Sequence, residues 1–173
     1  MRTLITTCFL FTMLVFPSTV QGQIGTEVGV RGGLEVANIQ KLFVGAEARL
    51  STPRLPIQIN PAFDIYLIED GVNANGALVS TLLFQIGMNA LYPFNLGNAA
   101  FSPYVGGGPS LAFISVSGVA IEDMSASDIG LNLIGGSTFV VGDLKPFAQV
   151  QVTVGGSEFV TLGGGFLFSI RGE

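Results

Sequence analysis

The chain has 173 residues, a formal net charge of −5, 49% hydrophobic and 11% charged residues, and neither histidine nor tryptophan. Seven Lys and Arg residues are too few for the clustered cations that phosphate backbones require, which excludes nucleic acid as a partner. Without histidine, a Ser-His-Asp triad or a His-based metal site cannot form, and the charged share lies far below the roughly 25% of ordinary water-soluble domains.

The amino terminus begins with the cationic stretch Met1, Arg2, Thr3 and continues as an apolar run from Leu4 to Phe16. After the break at Pro17, Val20 and Gly22 are small enough for the positions before a cleavage site at Gln23, so residues 1–22 read as a secretory signal peptide. The run falls short of the roughly 20 apolar residues that a helix needs to span a bilayer. Residues 23–173 are then one domain, and because the only cysteine, Cys8, precedes it, that domain has no thiol, disulfide or Cys metal site. No cofactor is expected.

Eight period-2 stretches follow in order, near residues 24–33, 42–50, 57–67, 79–92, 103–115, 128–140, 147–154 and 159–170, with no helical periodicity between them. Most are longer than the ~5–6 residues of a typical soluble strand and close to the ~9–11 that cross a bilayer at a tilt. In the third, Ile57, Ile59, Phe63, Ile65 and Leu67 oppose Gln58, Asn60, Ala62, Asp64 and Tyr66. In the fourth, Leu82, Phe84, Ile86, Met88, Ala90 and Tyr92 oppose Gln85, Gly87 and Asn89. In the sixth, Ile129, Leu131, Leu133 and Phe139 oppose Gly130, Asn132, Gly136 and Thr138. The last two read as a hairpin about Gly155, Gly156, Ser157 and Glu158. An even number of long strands with one apolar and one small or polar face predicts an all-β, eight-stranded antiparallel up-and-down barrel that spans a membrane with its polar face inside. The alternative is an exported soluble barrel whose apolar faces point inward around a small apolar ligand.

The segments 102–113 and 130–139, the closing aromatic strand and the export signal together resemble the small eight-stranded outer-membrane barrels of the OmpA-like type. The resemblance covers essentially all of residues 23–173. It implies a bacterial outer-membrane location, outer-membrane lipid and the barrel-assembly machinery as partners, and a non-enzymatic role in envelope integrity, surface contact or a small pore. One departure is that Phe168 is followed by Ser169, Ile170, Arg171, Gly172 and Glu173, whereas many members end on the phenylalanine that the insertion machinery reads.

On this scaffold Glu27, Arg31, Glu47, Arg49 and Asp64 fall on the polar faces of the first three strands as a luminal charge network. A hairpin register whose paired numbers sum to 76 sets Glu27 opposite Arg49, with Arg31 diagonal to Glu47. Two readings stand for the network: an interior that rigidifies the barrel, and a gated ion path. The pair Asp64 and Glu47 suggests ion-pair partners more than acid–base chemistry. Tyr92, Phe94, Phe101, Phe139, Phe166 and Phe168 lie on outward faces beside one set of turns, as an interfacial aromatic girdle would. With the amino terminus in the periplasm, the outer loops carry Glu35, Glu69, Asp70, Glu122, Asp123 and Glu158 against Lys41, and these acidic residues read as solvated tips. The glycines of 106–108 and 163–165 lack the Lys-Ser/Thr of a phosphate loop and read as close-packing positions.

Overall fold

The computed structural model describes residues 25–68, 71–72, 78–97, 100–118, 124–142, 144–156 and 158–170. The segment read as a signal peptide lies outside them, as do Glu69, Asp70, Glu122, Asp123 and the chain end beyond Ile170.

Eight long strands form a closed meander: β1 (Gly25–Glu35), β2 (Leu42–Thr52), β3 (Leu55–Tyr66), β4 (Leu78–Pro93), β5 (Phe101–Gly118), β6 (Met124–Phe139), β7 (Leu144–Val154) and β8 (Phe159–Ile170). Each pairs antiparallel with the next, and β8 pairs with β1 from Thr26↔Ile170 to Glu35↔Thr161, which closes the barrel. A two-residue ladder, Gly71–Val72, adds to the start of β4. Closure leaves the paired part of the wall without a free edge. The first hairpin has the register expected from the sequence, with Glu27 opposite Arg49.

Pleating sends alternate side chains to opposite faces, and the two faces differ completely. Every charged residue described within a long strand, namely Glu27, Arg31, Glu35, Glu47, Arg49, Asp64, Asp128 and Lys145, lies in the inward phase. The outward phase contains no charged and no amide side chain. Many of its apolar members are exposed, among them Val30, Val44, Phe63, Ile86, Leu111, Leu131, Leu133, Val150, Leu162 and Phe166, and none of its large ones is buried. The apolar faces therefore point out of the barrel, which removes the premise of the soluble, apolar-ligand alternative.

The interior is not wholly polar, and this corrects the expected filling. At the loop end, the end that bears the connection 36–41, Phe43, Tyr66, Leu83, Ala112 and Phe159 form a buried apolar cluster. Ile39, Ile68 and Ile114 pack on it. Tyr66 stacks on Phe159 at 5.4 Å and lies 5.8 Å from Phe43. A smaller cluster of Leu91, Tyr104 and Ile134 lies towards the terminal end, where the chain enters and leaves the barrel.

Candidate functional site: the filled lumen

Two arginines organise the charged part of the lumen. Arg31 on β1 donates from Nε to Asp64 Oδ1 on β3 at 2.7 Å, and its Nη2 pairs with Asp64 Oδ2. Its Nη1 reaches Glu47 Oε2 on β2 at 3.3 Å. The other oxygen of the same carboxylate, Glu47 Oε1, accepts from Arg49 Nε at 2.8 Å. Two cations and two anions thus share one neutral cluster, and all four side chains are nearly or fully excluded from solvent. Such a cluster adds little net stability over an apolar filling, but removing one member strands a charge at a cost of about 3–5 kcal/mol.

The planar guanidinium of Arg49 meets three further strands. Nη1 donates to Thr138 Oγ1 on β6 at 2.9 Å and Nη2 to Tyr104 Oη on β5 at 3.1 Å. The Tyr104 and Phe147 rings lie 4.6 and 4.7 Å from Cζ, so cation–π attraction supplements the hydrogen bonds. Tyr104 Oη donates onward to Gln149 Oε1 at 2.9 Å. Backbone shape makes room for this arrangement. A Cβ at Gly136 would stand 2.6 Å from Tyr104 Oη and from the Ala148 carbonyl oxygen, and one at Gly45 would stand 2.3 Å from Asp64 Oδ1 and from the Phe63 carbonyl oxygen.

The register sets Glu27 opposite Arg49, but their side chains do not pair. Glu27 takes the ammonium group of Lys145 on β7, and Arg49 turns to Glu47. Lys145 precedes the stretch 147–154 in which the sequence alternates, yet it belongs to β7 and faces the lumen. Glu27, Lys145, Arg49, Gln58, Ser102 and Thr138 line a hollow of about 150 Å³ at the terminal end, with the buried Arg49 at its inner limit.

A neutral layer adjoins the charges. Asn132 Nδ2 donates to Asn89 Oδ1 at 3.1 Å, Asn89 Nδ2 to Asn60 Oδ1 at 3.2 Å, and Asn60 Nδ2 to the Ala48 carbonyl at 2.9 Å. Thr153 Oγ1 joins this chain by donating to Asn132 Oδ1 at 2.8 Å, and it accepts from Gln85 Nε2 at 3.4 Å. Tyr66 Oη donates to Gln85 Oε1 at 3.3 Å and so links the amide layer to the aromatic cluster. The charged cluster of β1, β2 and β3 stands beside this amide chain, and Arg31 lies 5.9 Å from the Phe43 ring of the apolar cap.

Glu35, expected as a solvated loop tip, is fully buried at the end of β1. Its carboxylate accepts backbone N–H groups of Ala37, Asn38, Ile39, Gln40 and, from β8, Val160, at 2.7 to 3.3 Å. Five convergent donors compensate the buried charge and hold the connection 36–41 over the mouth, with Ile39 against the cap. Asn38 Nδ2 also donates to the Glu158 carbonyl, which ties this connection to the one between β7 and β8.

Among the six girdle aromatics, Tyr92, Phe94, Phe101, Phe139, Phe166 and Phe168 are all exposed. Tyr92 meets Phe94 edge-on at 5.2 Å, and Phe101 lies 5.5 Å from Phe139. The sequence reading missed a second outward group across β3, β4 and β5 towards the loop end, in which Phe84 stacks on Phe113 and meets Phe63 at a tilt. It also missed the luminal Phe43, Phe147 and Phe159. Among the described residues no group of three or more Cys, His, Asp or Glu is arranged to hold a metal.

Comparison with known proteins gives fold-level relatives. No protein family and no curated protein matches the sequence. Among solved structures, the N-terminal β-barrel domain of Pseudomonas aeruginosa OprF matches with a TM-score of 0.65 at 17% identity, over 87% of this chain and 100% of that one. Neisserial surface protein A matches with a TM-score of 0.64 at 16% identity, over 85% and 97%. The Yersinia pestis outer membrane protein Ail, solved in a phospholipid bilayer nanodisc, matches with a TM-score of 0.56 at 13% identity, over 85% and 99%. These are small eight-stranded outer-membrane β-barrels, and the chain shares their fold.

Proposed function

We propose that the protein is a non-enzymatic outer-membrane barrel, exported by its amino-terminal signal, whose closed wall supports the envelope and presents its loop end to the outside. The observation that carries this reading is the contrast between the two faces. No charged or amide side chain occupies the outward phase of any strand, while all the described strand charges point inward. In water that wall would be a single exposed apolar surface encircling the molecule; in lipid it is the solvated face. The solved barrels that share the fold support the same setting.

The partners are then outer-membrane lipid, with the exposed aromatics of the terminal end at the periplasmic interface, and the assembly machinery that inserts such barrels. The luminal charges act as structural filling rather than as an ion path, because they are paired and buried beside a hydrogen-bonded amide chain and an apolar cap. Membrane fractionation with gels of unheated and boiled protein tests the reading. The protein should partition with outer membranes, resist high salt, and migrate faster before boiling; recovery as a soluble monomer without detergent would overturn it.

A further inference from the structure

The hollow at the terminal end is lined by charges of both signs that retain hydrogen-bonding capacity. A guanidinium has five N–H groups. Arg49, buried at the inner limit, donates one from Nε to Glu47, one from Nη1 to Thr138 and one from Nη2 to Tyr104. Thr138 and Tyr104 themselves line the hollow, so the Nη edge faces it, and its two other N–H groups have no acceptor among the described residues. Glu27 is engaged through Oε1 alone: that oxygen takes Lys145, and Oε2 has no donor among the described residues. Lys145 and Glu27 keep 32% and 17% of their side chains exposed, so a solute entering from the terminal end can reach both.

A second hollow, of about 360 Å³, adjoins the first and shares Gln58, Pro93 and Ser102 with it. Gln58 and Ser102 lie in the inward phase of β3 and β5, but the other walls include Phe94, Leu96 and Phe101, exposed apolar residues of the rim. The two hollows together lead from the buried guanidinium over the rim to the lipid-facing side of the wall. The inner one is polar and charged; the outer one adds apolar surface.

Charge balance selects the occupant. Arg31, Arg49 and Lys145 are already matched by Glu27, Glu47 and Asp64. An anion alone would add charge beside the Glu27 carboxylate, and a cation alone would add it beside Arg49 and Lys145. A zwitterion adds none and meets both signs. The inner hollow, at about 150 Å³, has the room of roughly five waters, which suits an ammonium joined to an oxyanion by a short linker but not an acyl chain. We propose that this hollow binds the zwitterionic headgroup of a membrane phospholipid, a primary ammonium joined to a phosphate. The phosphate accepts from the two remaining Nη groups of Arg49 and from Lys145, the ammonium donates to Glu27 Oε2, and the acyl chains pass over Pro93 onto Phe94, Leu96 and Phe101. A free ammonium phosphate of the same chemistry would make the polar contacts and gain nothing from the rim.

The inference rests on the membrane reading, since only a barrel set in lipid presents this rim to phospholipid, and the test separates the two. The barrel, purified in detergent and checked for heat-modifiable mobility, is titrated with short-chain phospholipids that carry phosphoethanolamine, phosphocholine or phosphoglycerol headgroups, and with free phosphoethanolamine. Native mass spectrometry counts what is retained. The phosphoethanolamine lipid should bind about tenfold more tightly than the other two lipids, because each of those lacks the charge-assisted hydrogen bond to Glu27. Glu27→Gln should remove the preference for ethanolamine over choline, and Phe101→Ser should weaken the lipid without weakening free phosphoethanolamine. Equal retention of the three lipids, or a preference that survives in Glu27→Gln, overturns the site. Free phosphoethanolamine that binds as tightly as the lipid assigns the hollow to a soluble solute and overturns the lipid. A heat-modifiable barrel without headgroup preference rejects this inference alone, whereas recovery as a soluble monomer without detergent rejects the membrane reading.

Discussion

Glu27 and Arg49 are direct neighbours across the first hairpin, yet each binds elsewhere: Glu27 takes Lys145 from β7, and Arg49 shares Glu47 with Arg31. Backbone opposition fixes which Cα atoms meet, while long side chains choose among partners around the lumen. Glu27 and Arg49 should accordingly show little coupling in a double-mutant cycle, whereas Glu27 with Lys145 and Glu47 with Arg49 should couple measurably. Glu47→Gln, deep in the barrel, should cost about 3–5 kcal/mol of stability in detergent. Glu27→Gln, in a partly exposed pair, should cost less than about 1 kcal/mol. Equal costs for the two would reject the ion-pair assignment.

Gly45 makes room for the Arg31–Asp64 pair. Gly45→Ala brings a methyl group against Asp64 Oδ1 and the Phe63 carbonyl, and should destabilise the barrel by about 1–3 kcal/mol through overpacking. Gly135→Ala is the control, since a Cβ there meets no atom within 4 Å. A comparable loss at both positions would show that the lumen is looser than described.

The outward face has its own test. Leu133→Arg and Val150→Arg each place a cation on the hydrocarbon side of the wall and should lower stability by about 2–4 kcal/mol if near mid-depth, falling towards zero near an interface. Leu133→Phe should be tolerated. Heat-modifiable gel mobility and urea unfolding in lipid vesicles provide the readouts, and full stability of both arginine variants would refute the lipid-facing assignment.

Three groups of side chains fill the lumen, so the loss of one leaves the other two in place. Arg49→Ala enlarges the hollow at the terminal end but leaves the Asn60, Asn89 and Asn132 chain and the Phe43, Tyr66 and Phe159 cap in place. Planar-bilayer recordings should show no current beyond that of the unmodified protein. A new steady conductance in Arg49→Ala would make the arginine cluster the sole barrier and restore the gated-path reading.

Glu35 predicts a local effect. Glu35→Gln removes the charge that five backbone N–H groups converge on, with each charge-assisted bond worth about 1.5–3 kcal/mol before relaxation. Amides of Ala37, Asn38, Ile39 and Gln40 should exchange faster, while amides in the middle of β1 keep their protection. Uniform acceleration along β1 would instead show that Glu35 supports the whole wall.

Strand number, facing and the first register were legible because lipid and a packed lumen impose opposite demands at every second residue. A reading from alternation sees both. It failed where alternation is silent. Phe43, Phe147 and Phe159 lie in the inward phase among polar neighbours, and nothing local tells an aromatic residue which side of a wall it fills. The Lys145 partnership joins residues 118 apart and exists only once the ring closes. Residues 124–127, three small and polar or alanine side chains after one methionine, are weak strand formers; neighbouring β5 holds them in the sheet. Glu35 resembles any acidic residue beside a loop until the N–H groups around it are placed.

The arginine cluster has a consequence for the order of assembly. Arg31, Glu47, Arg49 and Asp64 all belong to β1, β2 and β3, with Arg31 only 16 residues from Glu47 and 33 from Asp64. These four charges thus have partners within the amino-terminal meander and need no later strand to neutralise one another. Glu27 must wait for β7, the penultimate strand, so its bond to Lys145 reports completion of the ring. Trapped intermediates that lack the last two strands should keep the arginine cluster formed while the Glu27 carboxylate, at the base of the sheet, stays without its ammonium partner.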